Sequence, residues 1–151
     1  MQKLLLVEDD PNLQFTIQTA LEAQGYTVDA ASTTRDAIER LGTQDYPIVL
    51  TDIYIDERTG LDVLEAAKRK DPQCAVILMT GRGTVETVRA ATRGGAFEYI
   101  AKPFDLDTLF DALTRAEASR NDSEAEEEAD HHADDWIAGE AQLPAAALPR
   151  S

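Results

Sequence analysis

The chain has 151 residues, 43% of them hydrophobic, which is enough for one domain of ordinary size with a core and a short appendage. It carries 29 acidic against 14 basic residues, a formal charge of -15, so that direct binding to nucleic acid or to an anionic membrane is disfavoured. The one cysteine, Cys74, excludes an internal disulfide and is expected as an apolar filler. Without a signal peptide or a long apolar span, we expect a cytoplasmic protein.

Short apolar runs alternate with amphipathic segments along the chain. Strands are predicted at residues 3–7, 27–31, 47–52, 75–79 and 96–101. The first helix is predicted to begin at Pro11 and end at Gly25, with Asp10 as its N-cap. The other helices are predicted at residues 33–41, closed by Gly42, and from residues 60, 84 and 105. This alternation predicts an α/β fold with a parallel sheet covered by helices on both faces.

The charge is unevenly distributed between the body and the end of the chain. Residues 1–116 hold 12 basic and 19 acidic side chains, net 12 - 19 = -7, and residues 117–151 hold 2 and 10, net 2 - 10 = -8. Such an acidic segment buries too little apolar surface to order itself. We therefore predict a domain over residues 1–117 and an acidic tail over 118–151, either disordered or a truncated linker.

Polar side chains stand at the carboxyl ends of four of the five predicted strands. They are Glu8 and Asp9, Asp52, Thr80 and Lys102, and each separately could be a helix cap, a turn residue or a surface lysine. In a parallel sheet these strand ends share one edge, where ligands bind. Three carboxylates brought together there repel unless a cation joins them, and hard oxygen ligands suit Mg²⁺.

The same edge has groups suited to a transferring phosphoryl group. The ammonium of Lys102 and the hydroxyl of Thr80 can both donate to phosphoryl oxygens. An ionised Asp52 is a nucleophile that needs no general base. The strand ends therefore favour a magnesium site with phosphoryl chemistry.

Four motifs carry a resemblance to a known family. In chain order they are LLLVEDD (4–10), IVLTDIYIDERTGLDVL (48–64), VILMTGRG (76–83) and GGAFEYIAKPF (94–104). Over residues 1 to about 117 the chain resembles the receiver domain of two-component response regulators. The stretch GGAFEYIAKPFDLDTL is similar to receivers of nitrogen-regulatory-type transcription activators. The resemblance implies a flavodoxin-like fold with strand order 2-1-3-4-5, and transfer of a phosphoryl group from a histidine kinase to an aspartate.

The resemblance also implies roles for individual residues. Asp52 is expected as the phosphoacceptor. Asp9 is expected to bind Mg²⁺ directly and Glu8 to bind it directly or through water, with Asp52 and the backbone carbonyl of Tyr54 completing the protein ligands.

Further expectations concern the phosphoryl group and the switch. Thr80 and Lys102 are expected to contact the phosphoryl oxygens, and the Lys102–Pro103 peptide bond is expected to be cis. Movement of Thr80 would leave space for Tyr99 to turn inward, which would alter the face formed by the fourth helix, fifth strand and fifth helix. No separate cofactor-binding residues are expected.

The chain departs from the family just beyond the acceptor. Asp56 stands where the family usually has proline, and Glu57 follows it. This added charge would either tighten Mg²⁺ or oppose the phosphoryl group, and both possibilities stay open.

Two functions of different class remain open. The first is a phosphorylation-dependent switch that catalyses its own phosphoryl transfer and dephosphorylation, without being a conventional enzyme. The second is a receiver-like scaffold that binds partners without phosphate. The chain would be either a free-standing receiver or the amino-terminal fragment of a larger activator. The expected partners are a histidine kinase or phosphotransfer protein, an unknown output protein, and a second copy bound through the helix 4, strand 5 and helix 5 face.

Overall fold

The structure is a computed structural model that describes residues 2–56 and 59–129. Within them lie five parallel strands, β1 (Lys3–Val7), β2 (Thr27–Ala31), β3 (Ile48–Asp52), β4 (Ala75–Thr80) and β5 (Glu98–Ala101). They form one sheet in the order β2-β1-β3-β4-β5. The predicted α/β fold with its 2-1-3-4-5 order is confirmed.

Helices follow the strands in strict alternation. They are α1 (Pro11–Ala23), α2 (Thr34–Thr43), α3 (Gly60–Lys70), α4 (Val85–Arg93) and α5 (Leu106–Ala129). Each begins after a side chain that accepts backbone N–H groups of its first turn, supplied by Asp10, Thr33, Thr59, Thr84 and Asp105. No helix in this described part combines the length and hydropathy that crossing a membrane requires.

Alternate strand residues point to opposite faces of the sheet and build two separate cores. Leu5, Val7 and Val49 pack on one face with buried residues of α2, α3 and α4. Leu4 and Leu6 pack on the other face with buried residues of α1 and α5. The sheet is therefore covered on both sides, and its polar strand ends emerge at one edge.

Some element boundaries differ from the predictions. Gly42 lies inside α2 and does not close it, because its backbone is not left-handed and Gln44 still donates its N–H to Arg40. The third strand begins at Ile48, after Pro47, whose missing N–H cannot join the ladder. The fifth begins at Glu98, because Ala96 N–H instead closes the turn after α4 on Ala91 O.

Helix α5 continues beyond the boundary that the sequence suggests at residue 117. It ends at Ala129, whereas the predicted tail begins at residue 118. The additional turns are rich in Ala and Glu, which favour helix. The side chain of Arg120 also donates to the backbone oxygen of Gln73. The tail after Ala129 lies outside the described residues.

Cys74 lies just before β4 and is 2% exposed. Burial raises the pKa of its thiol to about 12. A thiol with so high a pKa stays protonated and unreactive at neutral pH. The expectation of an apolar filler agrees with this position.

Candidate functional site

The register of the sheet brings the polar strand ends together. Val7 pairs with Thr51, so Glu8, which follows β1, and Asp52, the last residue of β3, come next on neighbouring chain segments. Their carboxylate oxygens and that of Asp9 lie within 4.8 Å of one another. On the other side of β3, Thr80 pairs with Ala101, which places Lys102 at the same edge. The structure thus brings together the five strand-end residues singled out from the sequence.

Lys102 connects two of the three carboxylates. Its Nζ lies 2.9 Å from Glu8 Oε1 and 2.6 Å from Asp52 Oδ2. The side chains of Glu8 and Asp52 are 1% and 8% exposed, and that of Lys102 is 21% exposed. Because the acids are withdrawn from water, the ammonium offsets repulsion that solvent would otherwise screen.

Burial and charge act in opposite directions on these groups. Burial raises the pKa of Glu8, and hydrogen bonds from Lys102 and from the Asp10 N–H only partly oppose it. Burial also acts to lower the pKa of Lys102, but the hydrogen bonds to Asp52 and Glu8 outweigh it and hold that pKa above its usual value. The lysine therefore stays charged between the two carboxylates.

The carboxylate of Asp52 has a defined orientation. Its Oδ1 accepts the N–H of Tyr54 at 3.1 Å, while Oδ2 faces Lys102. Its backbone carbonyl oxygen accepts the Thr51 hydroxyl at 2.9 Å. A Cβ added at Gly60 would lie 2.1 Å from that same carbonyl oxygen. The first turn of α3 can approach β3 this closely only because residue 60 has no side chain.

Thr80 and Tyr99 lie on the neighbouring strands β4 and β5. Thr80 is 1% exposed, and its hydroxyl accepts the Arg82 N–H at 3.1 Å. Tyr99 is partly buried and packs against the core on the α2 to α4 side. Its hydroxyl fills the space beside Gly83, where a Cβ would lie 1.5 Å away. The glycine of the loop between β4 and α4 thus makes room for the tyrosine.

The Lys102–Pro103 peptide bond is cis, the isomer that the resemblance implies. Lys102 donates its backbone N–H to Thr80 O at 2.8 Å, so β5 remains joined to β4 up to this residue. The side chain of Lys102 therefore extends from a backbone position that is still hydrogen-bonded to β4.

Two contacts of the loop after β3 were not predicted from the sequence. The guanidinium of Arg82 lies 4.5 Å from the ring centroid of Tyr54. The Tyr54 hydroxyl lies 3.2 Å from Thr87 Oγ1 on α4. Arg82 stands in the VILMTGRG motif, but nothing in that motif indicates the ring on which it stacks. The pair links the segment next to Asp52 with the loop after Thr80.

The departure at Asp56 has an unexpected partner. Its carboxylate accepts the N–H and the hydroxyl of Thr34, at 3.0 Å and 2.9 Å. Among the side chains that the structure describes, it is not part of the carboxylate group at the sheet edge. Glu57 lies outside the described residues.

The raised pKa of Glu8 predicts a pH dependence of stability. The folded protein keeps this carboxyl protonated at pH values above its ordinary pKa of 4.5. The stability that the protonated carboxyl contributes is therefore fully present below pH 4.5. It is lost as the pH rises through the folded-state pKa. We expect the unfolding free energy of the metal-free protein to fall over this range by an amount that Glu8→Gln does not show. Urea unfolding at a series of pH values from 4.5 upward measures it, and parallel curves for the two proteins would contradict the assignment.

The sequence of this domain matches a known family and known proteins. Residues 4–114 match the family model described as the response regulator receiver domain. The regulatory protein AtoC of Escherichia coli (strain K12) is 35% identical over 116 residues, 77% of this chain and 25% of AtoC. The transcriptional regulatory protein ZraR of the same organism is 34% identical over 123 residues, 82% of this chain and 28% of ZraR. The chain thus spans about a quarter of the length of these two relatives.

Solved structures share the fold. A response regulator receiver domain protein (CheY-like) from Methanospirillum hungatei JF-1 superposes with a TM-score of 0.76 at 25% identity, covering 81% of this chain and 98% of that one. The beryllofluoride-activated NtrC4 receiver domain dimer superposes with a TM-score of 0.70 at 27% identity, with the same coverage of 81% and 98%.

Proposed function

The chain belongs to the response regulator receiver family, and from this membership we propose that it is a phosphorylation-dependent signalling switch whose acceptor is Asp52. The observation that carries the proposal is the group of three carboxylates at the edge of the sheet, two of which, Glu8 and Asp52, are bridged by Lys102. It joins a nucleophile, oxygen ligands for a cation and a fixed positive charge in one place.

The donor set fits Mg²⁺, which prefers carboxylate and carbonyl oxygens and keeps several waters. Glu8, Asp9, Asp52 and the carbonyl of Tyr54 would hold it. When bound, it would neutralise charge on the phosphoryl oxygens.

The residues of the chain supply the rest of the reaction. One carboxylate oxygen of Asp52 forms a bond to phosphorus, while the bond to the donor's leaving group breaks and that group takes the electron pair. The N–H of Tyr54 orients the carboxylate from the Oδ1 side. Lys102 and the Thr80 hydroxyl would then donate to the phosphoryl oxygens.

A direct experiment tests this function. We expect the intact mass of the wild-type protein to increase by one phosphoryl group after incubation with Mg²⁺ and acetyl phosphate, and to stay unchanged when EDTA is present. Absence of any gain over a wide range of Mg²⁺ concentrations would favour the scaffold that binds partners without phosphate.

The role of Asp9 gives a separate prediction. We expect Asp9→Ala to weaken Mg²⁺ binding by about tenfold or more, because it removes a charged oxygen from the group of three. Isothermal titration with MgCl₂ measures this. Asp45→Ala is the matched control, since that side chain is 94% exposed and pairs with Lys70 away from the site. Equal affinities in the two variants would remove Asp9 from the metal site.

We further propose that the signal leaves through α4, β5 and α5. Thr80 and Tyr99 are the residues that we propose to move. The Tyr99 hydroxyl would leave the space beside Gly83 that it fills in this structure. Val85 on α4 and Leu106 on α5 support this proposal, because they are large apolar side chains exposed to 69% and 37%. Such side chains suit a surface that binds a partner.

The proposed partners follow from the family. They are a histidine kinase or phosphotransfer protein in the cytoplasm, an output protein or domain, and a second copy through the α4, β5 and α5 face. The acidic chain would not bind nucleic acid itself. Because the chain spans a quarter of AtoC, we favour an amino-terminal receiver of a longer activator, with the domain proper ending near residue 117.

A further inference from the structure

The loop between β3 and α3 carries the backbone next to the acceptor. At its start Tyr54 donates its N–H to Asp52 Oδ1 at 3.1 Å, and at its end Thr59 forms an antiparallel bridge with Tyr54. Gly60 N–H donates to Ile53 O at 2.7 Å and closes the base of the loop. The position of Tyr54 therefore depends on how the rest of this loop is held.

Asp56 holds the described part of the loop to a different element. Its Oδ2 accepts the Thr34 N–H at 3.0 Å, and its Oδ1 accepts the Thr34 hydroxyl at 2.9 Å. Thr34 is fully buried and is the first residue of α2. A first-turn N–H has no partner inside its helix, and this end of a helix favours negative charge. The first residue of α2 thus offers the Asp56 carboxylate two hydrogen-bond donors, a backbone N–H and a hydroxyl.

The contact with Thr34 gives Asp56, which stands where the family usually has proline, a role in holding the loop. Among the side chains that the structure describes, Asp56 is not a member of the carboxylate group formed by Glu8, Asp9 and Asp52. Its charge instead lies on the end of α2. Proline in this position could not accept either hydrogen bond, because it has no side-chain oxygen.

We propose that Asp56 is a positioning residue, and that its two hydrogen bonds to Thr34, the Asp56–Thr34 clamp, hold Tyr54 against Asp52 and so set the affinity for Mg²⁺. The proposal rests on the function proposed above for the Asp52 site. Asp56 contacts neither the cation nor the phosphoryl group. It acts through the loop, whose Tyr54 N–H orients Asp52 and whose Tyr54 carbonyl is a proposed ligand.

Two substitutions separate the clamp from the charge. Asp56→Ala removes both acceptors. Asp56→Asn removes the charge but keeps an oxygen for the Thr34 N–H and an amide that can donate to the Thr34 hydroxyl. Thr34→Val is the third variant. Valine has a shape similar to that of threonine, and the substitution removes the hydroxyl that donates to Asp56 but leaves the backbone N–H.

Two measurements on the full chain read the outcome. Hydrogen exchange of the Tyr54 amide without Mg²⁺ reports the loop, and the amide of Ile77 in the interior strand β4 reports global opening. Titration with MgCl₂ reports affinity. We expect Asp56→Ala to speed exchange at Tyr54 but not at Ile77, and to weaken Mg²⁺ binding about tenfold. Asp56→Asn should stay near wild type in both, and Thr34→Val should change both in the direction of Asp56→Ala but less.

Other results would overturn the proposal. Equal effects of Asp56→Ala and Asp56→Asn would mean that charge, and not position, sets the affinity. Unchanged exchange at Tyr54 in Asp56→Ala would mean that the clamp does not hold the loop. If the wild type itself bound no Mg²⁺, the proposed function would fail, and the exchange comparison would still decide whether Asp56 holds Tyr54.

Discussion

Asp52→Asn is expected to abolish the phosphoryl mass gain completely. The amide is neutral and lacks the anionic oxygen that attacks phosphorus. The substitution keeps the shape of the side chain and an oxygen that can accept the Tyr54 N–H, so the fold should persist. Lys102 also retains Glu8 as a partner. Intact mass after treatment with Mg²⁺ and acetyl phosphate measures the result.

The control for this variant removes the same charge elsewhere. Asp45→Asn changes an exposed carboxylate that lies before β3, away from the carboxyl edge of the sheet. We expect it to be phosphorylated like the wild type. A gain that persists in Asp52→Asn would show that another carboxylate is the acceptor, and the labelled peptide would identify it.

Gly60→Ala is expected to cause a large loss of stability. Its Cβ would lie 2.1 Å from Asp52 O and 2.9 Å from Ile53 Cα, and both atoms belong to the backbone. Neither can move aside as a side chain does, so α3 and the end of β3 must separate. We expect a loss of about 3 kcal/mol in unfolding free energy. Because Asp52 belongs to the displaced backbone, phosphorylation should also slow.

Gly42→Ala is the matched control for this prediction. Gly42 lies within α2, and a Cβ there would meet nothing within 4 Å. Alanine is the better helix former, so we expect stability to rise by up to about 1 kcal/mol. Urea unfolding of the two variants measures both effects. Similar losses in both would show that close approach to Asp52 is not the cause.

The sequence predicts those features of this fold that depend on local patterns. The apolar strands and the glycines and caps between them are sufficient to predict the parallel sheet. The positions of Glu8, Asp52 and Lys102 at the carboxyl ends of those strands are sufficient to place them at one edge. Their meeting follows from topology alone, since carboxyl ends of parallel strands share an edge.

Contacts between distant loops could not be predicted in the same way. Asp56 and Thr34 lie 22 positions apart, and either could equally have faced solvent. The stacking of Arg82 on Tyr54 depends on side-chain directions that no periodic pattern encodes. Element ends also depended on context, as with Gly42, which is compatible with either a helix end or a helix interior.

The net charge of the site, to which Lys102 contributes, leads us to expect an order in which ligands enter it. Counted at their formal charges, the side chains of Glu8, Asp9, Asp52 and Lys102 sum to two negative charges. An anionic phosphodonor is repelled by such a pocket, whereas a divalent cation is attracted and brings the sum to zero. Occupancy by the donor should therefore depend on prior occupancy by the cation. The concentration of free Mg²⁺ would then act as a second input, which determines whether a kinase signal can be received.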